Sequence, residues 1–266
     1  MKVLQSKTVL SNDEIELMAP SVFTDSPSSE VSKHYTHIST STVVEDMRML
    51  GWDVVDAKEV NARKGVGFQK HLVIFQNPGL VINGDDGDTV FPQILLTNSH
   101  DGKNAFRFTA GLFRMICENG LVIATTQFED VKMRHMGYTF EELQINIKDM
   151  VERLPETVET MNVMKKTQMG EEQSLDFAKK SLETRFKKEE IENIQVDLKE
   201  LLSPTRKEDG GNDLWSVFNV IQEKLIDGGF MYRSGNKSRK ARQIKNFSQD
   251  QKVNQKLFSL ALEYTS

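Results

Sequence analysis

Cysteine is almost absent: the 266 residues contain one, Cys117. A lone thiol excludes an internal disulfide and every zinc or iron–sulfur site built from several cysteines. It also fits a reducing compartment. Proline is scarce at six residues, while 27% of residues are charged, which is not the composition of a disordered linker. No apolar run approaches the ~20 residues needed to span a bilayer. The opening MKVLQSKTVLSNDEIELM lacks the apolar stretch of a signal peptide. The expectation is a cytoplasmic protein with no membrane partner. What is present is apolar side chain, 38% of residues, enough for a core without disulfide or metal staples.

Charge is unevenly placed. The chain carries −5 overall, yet residues 233–252 hold seven Lys or Arg (Arg233, Lys237, Arg239, Lys240, Arg242, Lys245, Lys252) against Asp250 alone. A local +6 on a body of −11 marks an anion-attracting segment, suited to phosphates or an acidic partner. A plainer reading is a solvated hairpin that keeps the chain soluble.

Element signals alternate in type along the chain. Residues 20–41 are rich in Ser, Thr and Pro and read as loop with one short strand near Lys33–Ile38. Thr42 and Glu45 have capping-box spacing ahead of Val43, Val44, Met47 and Leu50, with Gly51 as a stop. Strand signals follow at 52–60, 71–75 and 91–97, Pro92 being placed near a strand start. The link Asn83-Gly-Asp-Asp-Gly-Asp88 is turn chemistry whose aspartates lack EF-hand spacing, so no metal is assigned.

From Ala105 to Cys117 the sequence reads as a buried helix, apolar except for a stripe of Arg107, Gly111, Arg114 and Glu118. On a helix, that stripe would make a shallow groove lined by two guanidinium groups, or simply an exposed face. Strand signals return at 121–126 and 131–136. A second capping box, Thr139 with Glu142, opens a helix that Pro155 kinks or divides. Residues 156–203 give one or two further charged helices in which Met161, Met164 and Met169 are core fillers. The helix 213–226 ends at Gly228-Gly229, with Asn219, Gln222 and Glu223 on a face beside its apolar one. The basic segment and a last helix opened by Ser248-x-x-Gln251 complete the chain.

The expected fold is α+β: an antiparallel sheet with packed helices in the N-terminal half and a helical C-terminal half. The expected organisation is a strand-rich unit over residues 1–137 and a helical unit with a basic hairpin over 138–266, unless the last helix packs back to make one interlocked domain.

No Walker loop is present, and Gly65-x-Gly67 is too short for a dinucleotide fingerprint, so no cofactor is assigned. His100-Asp101 is the weak catalytic candidate, a His beside a carboxylate being a potential general base. No nucleophile motif accompanies it. The pair also suits a structural turn. His34 and His37 would face opposite sides of an extended segment.

Several short motifs occur together: Pro20-Ser-Val-Phe23, Val31-Ser-Lys-His-Tyr35, Leu50-Gly-Trp52, Asn98-Ser-His-Asp-Gly102, Ala110-Gly-Leu-Phe-Arg114 and Cys117-x-Asn-Gly-Leu-Val122. Leu214-Trp215, Phe218-Asn219, Gln222-Glu223, Gly228-Gly229 and Leu257 onward continue the pattern. In these the chain resembles the phage- and plasmid-borne family known as domain of unknown function number 932. The resemblance implies an accessory product of a bacteriophage or other mobile genetic element, with no assigned reaction. The Arg/Lys spacing after the Gly-Gly turn is looser here than the resemblance leads one to expect.

The leading reading is therefore a nucleic-acid-binding protein of the DNA metabolism or recombination type, for single- or double-stranded partners. Arg107, Arg114, Arg233, Lys237, Arg239, Lys240, Arg242 and Lys245 would meet phosphates, while Tyr232 and Phe230 would stack on bases. One alternative is an anti-defence protein whose acidic body binds a host defence protein. Another is a hydrolase-type enzyme using His100 and Asp101. Oligomeric state is not legible.

Overall fold

The computed structural model describes residues 8–61, 66–83, 89–114, 120–122, 131–133 and 139–265. Two compact units divide the chain, Met1–Leu154 and Pro155–Ser266.

The first unit opens with helix α1 (Asn12–Met18), where Ser11 and Glu14 cap each other reciprocally. A 3-10 turn, Pro20–Phe23, and helix α2 (Thr40–Met49) follow. The N-cap of α2 is Ser39, whose hydroxyl accepts the Thr42 amide at 3.3 Å, so the helix begins earlier than the capping box at Thr42 suggests. Glu45 is engaged elsewhere: it accepts from Arg48 at 2.7 Å and from Asn12 at 3.1 Å. The strand expected near Lys33–Ile38 does not form. That segment is irregular, and Tyr35 donates its hydroxyl to the Ser99 carbonyl at 3.0 Å.

The sheet comprises β1 (Asp53–Glu59), β2 (His71–Gln76), β3 (Ile82–Asn83), β4 (Thr89–Asn98), β5 (Phe106–Arg114), β6 (Gly120–Val122) and β7 (Val131–Met133). Every pairing is antiparallel, in the order β1-β2-β4-β5-β6, with β3 also on β4 and β7 also on β5. On one flank of β4, β2 takes residues 93–98 and β3 takes 89–90. Pro92 falls in the gap between them, where its missing N–H interrupts no ladder on that flank.

The expected helix over Ala105–Cys117 is overturned: residues 106–114 are strand β5, paired to β4 without a bulge. This is a central strand, and Phe106, Phe108, Thr109 and Ala110 are all buried. Covered on both faces, it shows no polar alternation, and such an apolar run cannot be told from a buried helix by period alone. Helix α2 contributes Val43, Val44 and Met47 to the core, and the sheet contributes Phe75, Leu96, Phe106 and Phe108. Helix α3 (Phe140–Glu152) has Thr139 as its N-cap, accepting the Glu142 amide at 3.2 Å as its spacing predicts.

The helical unit contains α4 (Leu154–Lys166), α5 (Glu171–Arg185), α6 (Lys188–Ile191), strand β8 (Ile194–Val196), α7 (Leu198–Leu202) and a 3-10 turn, Lys207–Asp209. Then come α8 (Leu214–Asp227), strands β9 (Met231–Ser234) and β10 (Lys237–Lys240), and α9 (Phe247–Leu262). Pro155 falls in the first turn of α4, where it costs no intrahelical bond. Met161, Met164 and Met169 are buried. Helices α5, α8 and α9 enclose the core, with Phe177, Leu182, Phe218, Leu225, Leu257 and Phe258 inside. The Phe218 and Phe258 rings meet edge to face at 6.1 Å. Gln222 and Asn219, expected on a polar face, are buried instead. Gln222 donates to Asn254 on α9 at 2.6 Å, and Asn219 donates to the Trp215 carbonyl at 2.7 Å. The cap of α9 is Asn246, which accepts the Ser248 and Gln249 amides, in place of the expected Ser248. Its short amide side chain reaches these orphan donors two residues earlier.

The architecture is α+β, with the antiparallel sheet in the N-terminal half and helices dominating the C-terminal half.

Candidate functional site

Polar groups concentrate in two places, one in each unit. In the first, Ser21, Thr40, His71, Asn98, Ser99 and His100 are completely buried. His71, the first residue of β2, is held from both ring nitrogens. Nδ1 lies 3.0 Å from the Ser21 hydroxyl and 3.0 Å from the Gln69 carbonyl, and Nε2 lies 2.8 Å from the Thr40 hydroxyl. Asn98 donates to the Thr40 hydroxyl at 3.0 Å and to the Ile38 carbonyl at 3.2 Å. Burial pushes the His71 pKa down to about 4, opposed only by its bond to Gln69. The His100 ring lies 4.6 Å from that of His37 and 5.1 Å from that of His71.

Asp101 does not orient His100. Its Oδ1 accepts from the Ser99 hydroxyl at 2.7 Å and from the Lys103 amide at 3.0 Å, an Asx-type turn. Gly102 closes this turn at φ +69, where a Cβ would press on Val31 at 3.2 Å. Among the described residues, no group of three or more His, Cys, Asp or Glu is arranged to hold a metal ion. This network joins the 20–23, 35–40, 69–71 and 98–104 segments into one interior knot. The sequence carries no mark of it, because its members are remote along the chain and no spacing links them.

Arg107 and Arg114 belong to β5 and are seven positions apart. An odd separation on a strand without a bulge does not bring two positions to one face, so the helical groove is not formed. Arg107 is half-buried, and its charge adds to the burial that pushes the Lys70 ammonium below its usual pKa. The side chain of Arg114, and residues 84–88 of the acidic turn, lie outside the described residues.

The second place is the basic hairpin of the helical unit. Helix α8 ends at Gly228, whose φ of +77 only glycine adopts without strain, and a Cβ there would lie 2.5 Å from the Ala241 carbonyl oxygen. That close approach lets the chain leaving β10 run back beside the α8 terminus. The Gly229 amide donates to Ala241 O at 2.9 Å, Ala241 N to Phe230 O at 2.9 Å, and Ile244 N to Ile226 O at 2.8 Å. The hairpin turns through Gly235-Asn236, with Gly235 at φ +57. Strand β9 is central in a three-stranded sheet ordered β10-β9-β8. Tyr232 sits opposite Arg239 on one side and Val196 on the other.

Arg185, at the end of α5, fastens the hairpin's exit to the helices. Its guanidinium donates to the carbonyls of Leu225 and Arg242 and lies 5.6 Å from the Phe186 ring centroid and 5.8 Å from that of Phe230. Burial pushes its pKa down. Phe186 and Tyr232 are half-buried, with ring centroids 5.5 Å apart. Phe230, expected to stack on a ligand, is instead 1% exposed beneath them. Its strand-entry position turns it into the core.

A cavity of about 840 Å³ opens here, lined by Phe186, Tyr232, Arg185, Arg239, Lys240 and Arg242 among others, none of them acidic. Arg233, Lys237, Arg239, Lys240, Arg242 and Lys245 are exposed, and among the described residues none of them forms an ion pair. Arg206 of the same unit, by contrast, is bound to Glu223 at 2.5 Å. The acids beside the basic run are engaged with neutral partners: Asp250 accepts from Asn254 at 2.5 Å and Asp227 accepts from Gln243 at 3.2 Å. Arg185 and Phe186 were not legible as site residues, since the sequence marks them only as the end of a charged helix.

Fold and site thus define a two-unit α+β protein with a sealed histidine knot in one unit and a cationic, aromatic-floored cavity in the other. The chain belongs to the family described as Domain of unknown function (DUF932), which matches residues 27–258. It is 29% identical over 261 residues to UPF0380 protein YafZ of Escherichia coli (strain K12), covering 95% of this chain and 90% of that one. It is 28% identical over 255 residues to UPF0380 protein YfjQ of the same organism, with the same coverage. No solved structure matches. Among the described residues, no helix is long and apolar enough to cross a membrane.

Proposed function

We propose that this protein binds nucleic acid through the hairpin of its helical unit, as an accessory factor in the DNA metabolism or recombination of a mobile element. The mobile-element part rests on the resemblance carried by the 20–23, 98–102 and 110–122 segments. The binding part rests on one observation: six exposed cations on β9, β10 and the following loop have no carboxylate partners among the described residues. Exposed ion pairs gain little in water, so leaving these cations without internal partners costs the fold little and keeps them available. A cluster left unneutralised on a protein of net charge −5 holds a local field suited to a polyanion. The acidic remainder opposes non-specific adsorption, so binding is weak and steeply salt-dependent.

A mobility-shift titration with single- and double-stranded oligonucleotides at low and moderate salt tests this. Retardation at low salt that fades as salt rises is the expected result. The triple variant Arg239→Gln, Lys240→Gln, Arg242→Gln flattens the log–log salt slope for a single strand by about 2, at ~0.7 per phosphate contact. No retardation of either oligonucleotide at low salt overturns the reading.

A further inference from the structure

We infer that the cavity beside the hairpin holds one nucleotide unit with an unpaired base: the base lies against Tyr232 and Phe186, and its phosphate is met by Arg239, Lys240 and Arg242. This rests on the nucleic-acid reading and deepens it, because exposed cations alone do not distinguish a duplex from a single strand.

Three features of the cavity carry the inference. The first is its floor. Two half-buried aromatic rings, 5.5 Å apart, stand at the edge of a cationic strand instead of being sealed in the core. Partly exposed aromatics beside cations form the standard platform for unstacked bases, since every base has a π-face. Phe230 supports them from below, its ring 6.5 Å from Phe186 and 6.4 Å from Tyr232, so the floor is braced.

The second feature is uncompensated charge at depth. Arg185 is drawn partly out of water, yet among the described residues its guanidinium is answered only by the carbonyls of Leu225 and Arg242 and by ring faces. Neutral carbonyls orient a guanidinium without neutralising it. With no acid among the described lining residues, the site is arranged to receive negative charge from outside. The third is size. A hollow of about 840 Å³ falls within the ~300–1,000 Å³ range of small-ligand sites, whereas a base paired in a duplex has its faces covered by its neighbours and cannot enter.

Tyr232 and Arg239 are opposite residues on adjacent strands. The backbone ladder therefore sets an aromatic and a cation side by side on one face of the hairpin, the pairing that a base with its phosphate calls for. The same chemistry could be offered by a free mononucleotide, which the experiment separates from a strand.

The test uses the full chain and a 30-nucleotide single strand carrying 2-aminopurine, with a duplex of equal length and a mononucleotide as competitors. Expected are tighter binding of the single strand than of the duplex and a change in 2-aminopurine fluorescence on binding. Tyr232→Ala then weakens single-strand binding about 5- to 150-fold, the range for loss of one stacked base. It also removes the fluorescence change while leaving the salt slope unchanged. Tyr232→Phe retains both, and a circular-dichroism melt of Tyr232→Ala matching the parent separates lost stacking from lost folding.

If the mononucleotide displaces the strand at similar concentrations, the pocket stands and its ligand is the free nucleotide. If it does not, the ligand is a strand. Equal affinity for single strand and duplex, with no fluorescence change and an intact salt slope, overturns the pocket but leaves phosphate binding in place. Absence of all binding would instead remove the parent reading.

Discussion

His71 Nε2 lies 2.8 Å from the Thr40 hydroxyl, joining strand β2 to helix α2 inside the sealed knot of the first unit. The imidazole is buried as the neutral form, and its pKa falls from 6.5 to about 4. The unfolded chain therefore takes up the proton first as pH drops. The stability that neutral His71 contributes is complete above about pH 6.5 and is lost progressively as pH falls towards 4. By linkage this amounts to about 3 kcal/mol. Urea midpoints measured between pH 7.5 and 4 should fall accordingly, and a His71→Gln variant should show a flatter curve over that window. Identical pH profiles for parent and variant would remove His71 as the cause.

His100 is packed between His37 and His71 with no exposed surface. His100→Ala should leave a cavity costing about 2–4 kcal/mol and should lower the melting temperature by several degrees. A variant that kept its melting temperature while losing a cellular phenotype would restore the acid–base reading of this residue.

The two glycines after α8 make an internally controlled pair. Both have positive φ, but a Cβ at Gly228 would lie 2.5 Å from Ala241 O, whereas one at Gly229 meets nothing within 4 Å. Gly228→Ala should cost at least about 2 kcal/mol, from strain plus collision with backbone. Gly229→Ala should cost only the strain part, about 1 kcal/mol. Denaturation midpoints of the two variants give the comparison, and equal losses would contradict the close approach of the hairpin exit to the α8 terminus.

Gln222 and Asn254 bridge α8 and α9 through a buried 2.6 Å bond. Asn254→Leu should cost about 1–3 kcal/mol, because it removes the acceptor from a buried amide. Adding Gln222→Leu should recover part of that loss, since two apolar groups need no partner. A double-mutant cycle reads the coupling directly, and strict additivity would show that the bond contributes nothing specific.

Much of the architecture is legible in local chemistry. Thr139 as the N-cap of α3, the buried Met161 and Met164, and the Gly228 stop all act as their sequence signals imply. Failures occur where tertiary burial erases the signal. Strand β5 buries residues of both parities, Phe108 and Thr109 among them, so Phe106-Arg-Phe-Thr-Ala-Gly-Leu-Phe shows no clean alternation, and the helix-like spacing of Arg107, Gly111 and Arg114 imitates a stripe. The candidate cavity was half legible. Its cations are adjacent in sequence, whereas Arg185 and Phe186 arrive from a helix more than 40 positions upstream, where nothing in their neighbours marks them. The histidine knot was illegible for the same reason, since His37, His71 and His100 come from a loop, a strand start and a turn.

Strand β10 is the border of its sheet, and all four of its residues, Lys237 to Lys240, are exposed. A border strand offers a free row of backbone donors and acceptors that another chain can continue. Lysine and arginine along that row repel an identical neighbour, so the charges proposed to meet a polyanion also deter fibre-like self-assembly. Stripping them to abolish ligand capture would therefore trade one contact for another, and charge-neutral variants of this strand should be handled as candidates for aggregation.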